Sequence, residues 1–237
     1  MSCLTHVKSL IKRVLRLTPP ATPAVPAAPS NEVLLPGACP LADCGEGNAV
    51  HYNQTCVFTD CYISIMGNHN TVIFHDHCNL SGLRIFILGD ENRIEFGERV
   101  IVNASPLQPA VFNAIGGRKI LVGDGSLFSN NIEIHTSDYH GIYDMEGRRV
   151  NPDKDIIIGK SVWVCLGCKI LKGSVIADGS IVGAGTVVSG AFREENVIIA
   201  GNPGKIIKRN IFWRHEKMDQ ASVPDSLKAK AQEHETA

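Results

Sequence analysis

The side chains able to do chemistry are few and unevenly spaced. His140 lies in the stretch Ser137-Asp138-Tyr139-His140-Gly141-Ile142-Tyr143, two residues after a carboxylate. An imidazole titrates near neutral pH and can take the proton of a hydroxyl group, whose own pKa is too high for unaided ionisation. Asp138 is near enough in sequence to orient that ring, and an Asp there can equally make a turn. His135 stands five residues before His140, and His69, His75 and His77 offer further imidazoles. Three histidines on zinc would ionise water, so a metal-dependent lyase is a second chemistry to weigh. Cys165 and Cys168 have the spacing of a metal or redox pair. No second pair follows at zinc-ribbon spacing, and both fit small positions of a repeat, so no metal is expected on them.

The elements that must position these groups begin with composition. The chain has 237 residues, is 44% hydrophobic and carries a formal charge of −1. That apolar fraction can bury a core, and near-neutrality removes the general attraction on which nucleic-acid binders rely. The first apolar stretch is cut by Lys8, Lys12, Arg13 and Arg16, so it lacks the h-region of a secretory signal. The eight cysteines are therefore read as reduced thiols, in a cytoplasmic protein that touches the inner membrane at most peripherally. Residues 1–17 read as a short amphipathic basic helix, suited to an anionic membrane surface or to packing on a partner subunit. Prolines at 19, 20, 23, 26, 29 and 36 make residues 18–36 an extended linker.

Two repeats follow. Gly45-Glu46-Gly47-Asn48-Ala49-Val50-His51-Tyr52, Gly67-Asn68-His69-Asn70-Thr71-Val72-Ile73-Phe74 and Gly89-Asp90-Glu91-Asn92-Arg93-Ile94-Glu95-Phe96 share one pattern at a constant interval. Gly and Asn tolerate the positive φ of a tight corner, and the apolar positions two apart share one side of a strand. Farther on, Ile158, Val164, Ile170, Ile176, Val182 and Val188 recur every six residues. Steps of six on a helix fan out in three directions and form no common face, whereas short strands joined by corners can use them. Small residues at Val162, Cys168, Ser174, Ser180 and Thr186 suit crowded corners, and the frame extends back through Val122, Phe128 and Ile134. The pattern predicts an all-β parallel β-helix over 37–209, interrupted by an extruded loop at 139–155. Residues 210–237 are expected to form a capping helix, with Phe212 and Trp213 on its packed side, and a tail.

From Ile158 to Lys208 the sequence resembles the hexapeptide-repeat acyltransferases. The motifs that carry the likeness are Val182-Gly183-Ala184-Gly185-Thr186-Val187-Val188 and Ile199-Ala200-Gly201-Asn202-Pro203-Gly204-Lys205-Ile206-Ile207-Lys208. The loop around His140, the segment Asp155-Ile156-Ile157-Ile158-Gly159-Lys160-Ser161-Val162-Trp163 and the ending Lys208-Arg209-Asn210-Ile211-Phe212-Trp213 are similar to sugar and capsular-polysaccharide O-acetyltransferases, the polysialic-acid enzymes among them. The resemblance implies a left-handed coil, a homotrimer, acetyl-CoA as donor and a sugar or polysaccharide acceptor.

It also implies roles. His140 would deprotonate the acceptor for direct attack, without an acyl-enzyme. Trp163 would pack on the pantetheine arm with its N–H toward the thioester sulfur. Leu166 and Ala184, one coil apart, would line that arm, and Lys205 and Lys208 would meet the nucleotide phosphates. Alternatives remain open at this point: an amino-sugar nitrogen as acceptor, Cys165 as a covalent acyl carrier, a γ-carbonic-anhydrase-like zinc lyase, or a non-catalytic scaffold.

Overall fold

A computed structural model describes residues 32–215. The expected helix at 1–17 and most of the linker at 18–36 lie outside the described residues. The chain winds as a three-sided prism, each coil contributing one short strand to each of three parallel sheets. The first face contains Tyr62–Met66, Leu83–Leu88, Ala110–Ile115, Ile132–His135, Lys169–Leu171 and Val187–Val188. The second includes Thr71–Phe74, Arg93–Phe96, Lys119–Val122 and Ile156–Ile158, and the third Ile101–Asn103, Leu127–Phe128, Trp163–Val164, Ile181–Val182 and Ile198–Ala200.

The six-residue frame explains the core directly. Ile158, Val164, Ile170, Ile176, Val182 and Val188 all point inward and are buried, as are Val122, Phe128 and Ile134. So are the small corner residues Val162, Cys168, Ser174, Ser180 and Thr186. Coils based on the longer repeat enclose more space. Ile63 pairs with Ile85 across one of these wide coils, whereas Ile170 pairs with Val188 across a narrower one of fewer residues. The extra width is filled by rings: Phe58, Phe74, Phe96, Phe112 and Phe128 follow one another with centroids 5.0–5.4 Å apart. Close packing of this kind leaves no room for a wandering backbone, so the coils are a rigid mount for whatever stands on their surface.

The Gly-x-x-Asn corners do more than turn. Asn70 and Asn92 are fully buried, and each takes its place in a ladder between the first and second faces. Asn48 Oδ1 accepts from the backbone N–H of Asn70, and Asn70 Oδ1 accepts from that of Asn92, both at 2.9 Å. Asn92 Oδ1 in turn accepts from Arg118 N at 3.0 Å. The ladder ends directly below the coil from which the loop at 139–155 emerges.

Two boundaries differ from the sequence reading. Glu32–Leu35, expected as the last part of the linker, is a strand antiparallel to Cys39–Cys44. The open side of the first coil exposes unpaired backbone groups, and this strand covers them after a turn through Pro36 and Gly37. At the other end, 210–215 is not helical. After Ile198–Ala200 the chain reverses as Lys205–Lys208, antiparallel on the third face, and then runs extended down the corner between the second and third faces. Its backbone follows existing coil edges, with Ile211 N donating to Asn196 O at 3.0 Å. The remainder of the expected helix, from 216 on, lies outside the described residues.

Candidate active site

The loop carrying His140 leaves the first face after His135 and rejoins the second at Ile156. Tyr139 has φ +63°, and His140 N donates to Asp138 O at 2.7 Å, a three-residue turn that bulky residues rarely adopt. A side-chain clamp holds this turn. Asn151, buried at the loop's base, donates from Nδ2 to Asp138 Oδ2 and to the His140 carbonyl, each at 2.8 Å. Its Oδ1 accepts from Ile142 N at 2.6 Å. Lys172, one coil above, places Nζ 2.6 Å from Asp138 Oδ2 and donates to Asn151 O at 2.8 Å. The backbone of His140 is thereby fixed while its side chain stays exposed.

Asp138 therefore has a structural part in holding the turn. The Lys172 ammonium first, and then the Asn151 amide, hold its carboxyl below the usual range. Its Oδ2 carries both contacts of the clamp. A second histidine supports the same turn from below. Asn113 Nδ2 donates to His135 Nδ1 at 3.2 Å, and the Tyr139 hydroxyl meets that nitrogen at 3.2 Å. Burial lowers the His135 pKa, which favours the neutral ring, although its Nε2 lies 3.6 Å from Glu133.

Trp163 stands outward on the third face while Val164 beside it is buried. It lies in a row with Leu127 on one side and Ile181, Ile198 and Lys208 on the other. At ~4.8 Å per strand, Trp163 and Lys208 are about 14 Å apart along the sheet. The indole Nε1 is buried and has no hydrogen-bond partner among the described residues. Leaving such a donor unpaired costs about 1–3 kcal/mol, so an orphan here marks a place where an acceptor is expected to arrive.

Leu166 and Ala184 are exposed at the corner between the third and first faces, one above the other, with Gly185 N donating to Leu166 O at 2.9 Å. Their own amide N–H groups have no backbone partner among the described residues. Lys205 and Lys208 are exposed on the returning strand and make no ion pair among the described residues. Cys168 points inward and Cys165 packs against the core, and burial pushes the Cys165 thiol up to about 11. A thiol so rarely ionised at neutral pH is a poor acyl carrier. The histidines weighed as zinc ligands are dispersed: His69 sits at one corner, His75 and His77 at another, and His135 is engaged with Asn113 and Tyr139.

No family model matches the chain. It is 37% identical over 119 residues to a polysialic acid O-acetyltransferase of Escherichia coli O1:K1, covering 49% of this chain and 38% of that protein. It is 40% identical over 96 residues to the polysialic acid O-acetyltransferase of Neisseria meningitidis, covering 40% and 45%. The chain thus spans less than half the length of these curated relatives. The solved structure of the polySia-specific acetyltransferase NeuO matches it with a TM-score of 0.60 at 25% identity, over 82% of this chain and 97% of that one. In sequence and in fold the chain is thus similar to the hexapeptide-repeat O-acetyltransferases.

The fold is accordingly the left-handed parallel β-helix of the hexapeptide-repeat proteins. Within one hexapeptide-repeat chain, the expected site residues fall into two groups. Trp163, Leu166, Ala184, Lys205 and Lys208 gather on the third face and its adjoining corner. His140 and Asp138 lie at the opposite corner, and no contact joins them to Trp163 among the described residues. The clamp residues Asn151 and Lys172 are absent from the sequence reading. Asn151 precedes a proline inside a polar loop, which signals a turn and nothing more, and Lys172 lies beyond the loop, far from Asp138 along the chain. Only the coil brings them together.

Proposed function

We propose that the protein is an acetyl-CoA-dependent O-acetyltransferase acting on a hydroxyl of a sugar, in a surface polysaccharide or its precursor. The names of its relatives support the acceptor class. The observation that carries the reading for this chain is the buried, unpartnered N–H of Trp163 on an outward face, with two unpaired lysines along the same strip. A hydrogen-bond donor held out of water is matched to a group on which negative charge develops, such as a departing thiolate. The amides of Leu166 and Ala184 offer further donors for an amide-bearing arm, and Lys205 and Lys208 offer point charges for phosphates.

His140 is the base of this reading. Its imidazole takes the proton of the acceptor hydroxyl as the oxygen attacks the thioester carbonyl, the C–S bond breaks, and the sulfur leaves as thiol with that proton. Such a base contributes roughly 10²–10⁴ in rate. Because His140 and Trp163 occupy opposite sides of the prism, a complete site takes the imidazole from one copy and the indole from its neighbour. This supports a homotrimer, in which three such sites close. Cys39, Cys44, Cys56, Cys61, Cys78, Cys165 and Cys168 are free thiols, which suits a cytoplasmic location.

The test is an acceptor screen with acetyl-CoA, following thiol release and the mass gain of one acetyl group. Acetylated glycan supports the proposal. Acetylation of amino-sugar nitrogens alone, or no transfer to any sugar, contradicts it.

A further inference from the structure

Beyond the family's reaction residues, the segment after Lys208 does something specific. Arg209 pairs with Glu194 at 2.9 Å, and Ile211 N reaches Asn196 O. The strap then descends three coils. Trp213 Nε1 donates to Ser161 O at 2.7 Å, and His215 Nε2 meets Gly125 O at 3.1 Å. Between these anchors the Trp213 ring lies against Trp163, with centroids 5.8 Å apart and planes at 42°. The His215 ring meets Trp213 edge-on, at 4.7 Å. The chain's two tryptophans are therefore in contact, although they are remote from each other in sequence.

We propose that Trp213 is a positioning residue for Trp163: it holds the indole in the orientation that keeps its N–H dry and unpaired until the donor arrives. This rests on the donor-side reading of Trp163 given above. The physical argument concerns what the indole would otherwise do. An outward tryptophan on a short strand can turn about its side-chain bonds and hydrate its N–H, which removes the cost of leaving it unpaired. The Trp213 ring, in contact with that of Trp163 and tied to Ser161, restrains this rotation. A donor kept dry also binds its target more strongly than one that must first shed water. A phenylalanine at 213 would retain the ring contact and lose only the bond to Ser161.

With W213F, the full-length protein has Trp163 as its sole indole, so fluorescence reads that residue directly. W213F is expected to keep Trp163 emission at short wavelength, poorly accessible to acrylamide, and to keep kcat within about threefold of wild type. W213A is expected to shift the emission to longer wavelength, increase quenching, and lower kcat at least ~10-fold with a smaller change in the KM for acetyl-CoA. Circular dichroism and the oligomer size check that both variants fold. Blue, protected emission with full kcat in W213A overturns the proposal. Full activity of W163F, by contrast, overturns the donor-side reading, whatever the emission of the Trp213 variants shows.

Discussion

The ammonium of Lys172 stands 2.6 Å from the carboxylate of Asp138, which lies one coil below it and on the far side of the extruded loop in sequence. Through Asn151 the same contact reaches the backbone of His140. Removing Asn151 is therefore expected to loosen the turn and leave the Asp138 carboxylate and the Ile142 N–H short of partners. Both residues are exposed, so water replaces the lost bonds, and the change falls on the order of the turn and not on stability. Asn151→Ala should lower kcat at least ~10-fold while the affinity for coenzyme A stays unchanged, because the residues proposed to hold the donor lie on another face. Steady-state kinetics and calorimetric CoA binding check both halves.

Acid stability follows from His135. Its folded-state pKa lies below the ordinary value of 6.5 because burial outweighs the pull of Glu133, while Lys169 and the Tyr139 hydroxyl also face the cluster. The unfolded chain then binds more protons, so stability is complete above about pH 6.5 and declines as pH falls through the folded value. The expected outcome is a falling melting temperature between pH 7 and 5, with a shallower slope in His135→Gln. An equal slope in both proteins would reject the assignment.

The inward residues are legible in the amino-acid order, and the polar clamps are not. Every member of the column from Ile158 to Val188 is buried as its six-residue spacing requires, because a strand has only two sides and each corner resets the count. The Asn48, Asn70 and Asn92 corners are readable as turns, but their hydrogen bonds run between coils and need the register. Glu32–Leu35 follows a proline-rich stretch, and its pairing is decided by the open edge of the first coil instead of local propensity. At 210–215 an aromatic pair suggests a helix face, yet the coil edge offers carbonyls that an extended chain can reach. For the site, His140 and Trp163 are visible by likeness to a family. Asn151, Lys172 and the Trp213 contact depend on residues remote in sequence, where no local pattern speaks.

The asparagine ladder carries structural load beneath the loop. Asn70 has no exposed surface, and its Oδ1 accepts from both the backbone and side-chain amides of Asn92. Asn70→Ala is expected to cost about 1–3 kcal/mol, read as a lower midpoint in denaturant with an unchanged slope. Activity per folded molecule should be preserved.

Donor affinity should depend on charge at the returning strand. Reversing both lysines, Lys205→Glu with Lys208→Glu, is expected to raise the KM for acetyl-CoA about tenfold, equivalent to ~1.4 kcal/mol for two exposed contacts. The effect should shrink at high salt, and acceptor affinity should be untouched. Unchanged donor kinetics would remove these residues from the donor site.

The central claim is that the imidazole of His140 takes the acceptor's proton at a site completed by a second copy. The most direct measurement is the rate of acetyl transfer by His140→Ala, taken alongside its coenzyme A affinity and oligomer size. A fall of at least ~100-fold in rate, with donor binding and assembly intact, is the outcome expected of a lost general base. Turnover within a few-fold of wild type would contradict it.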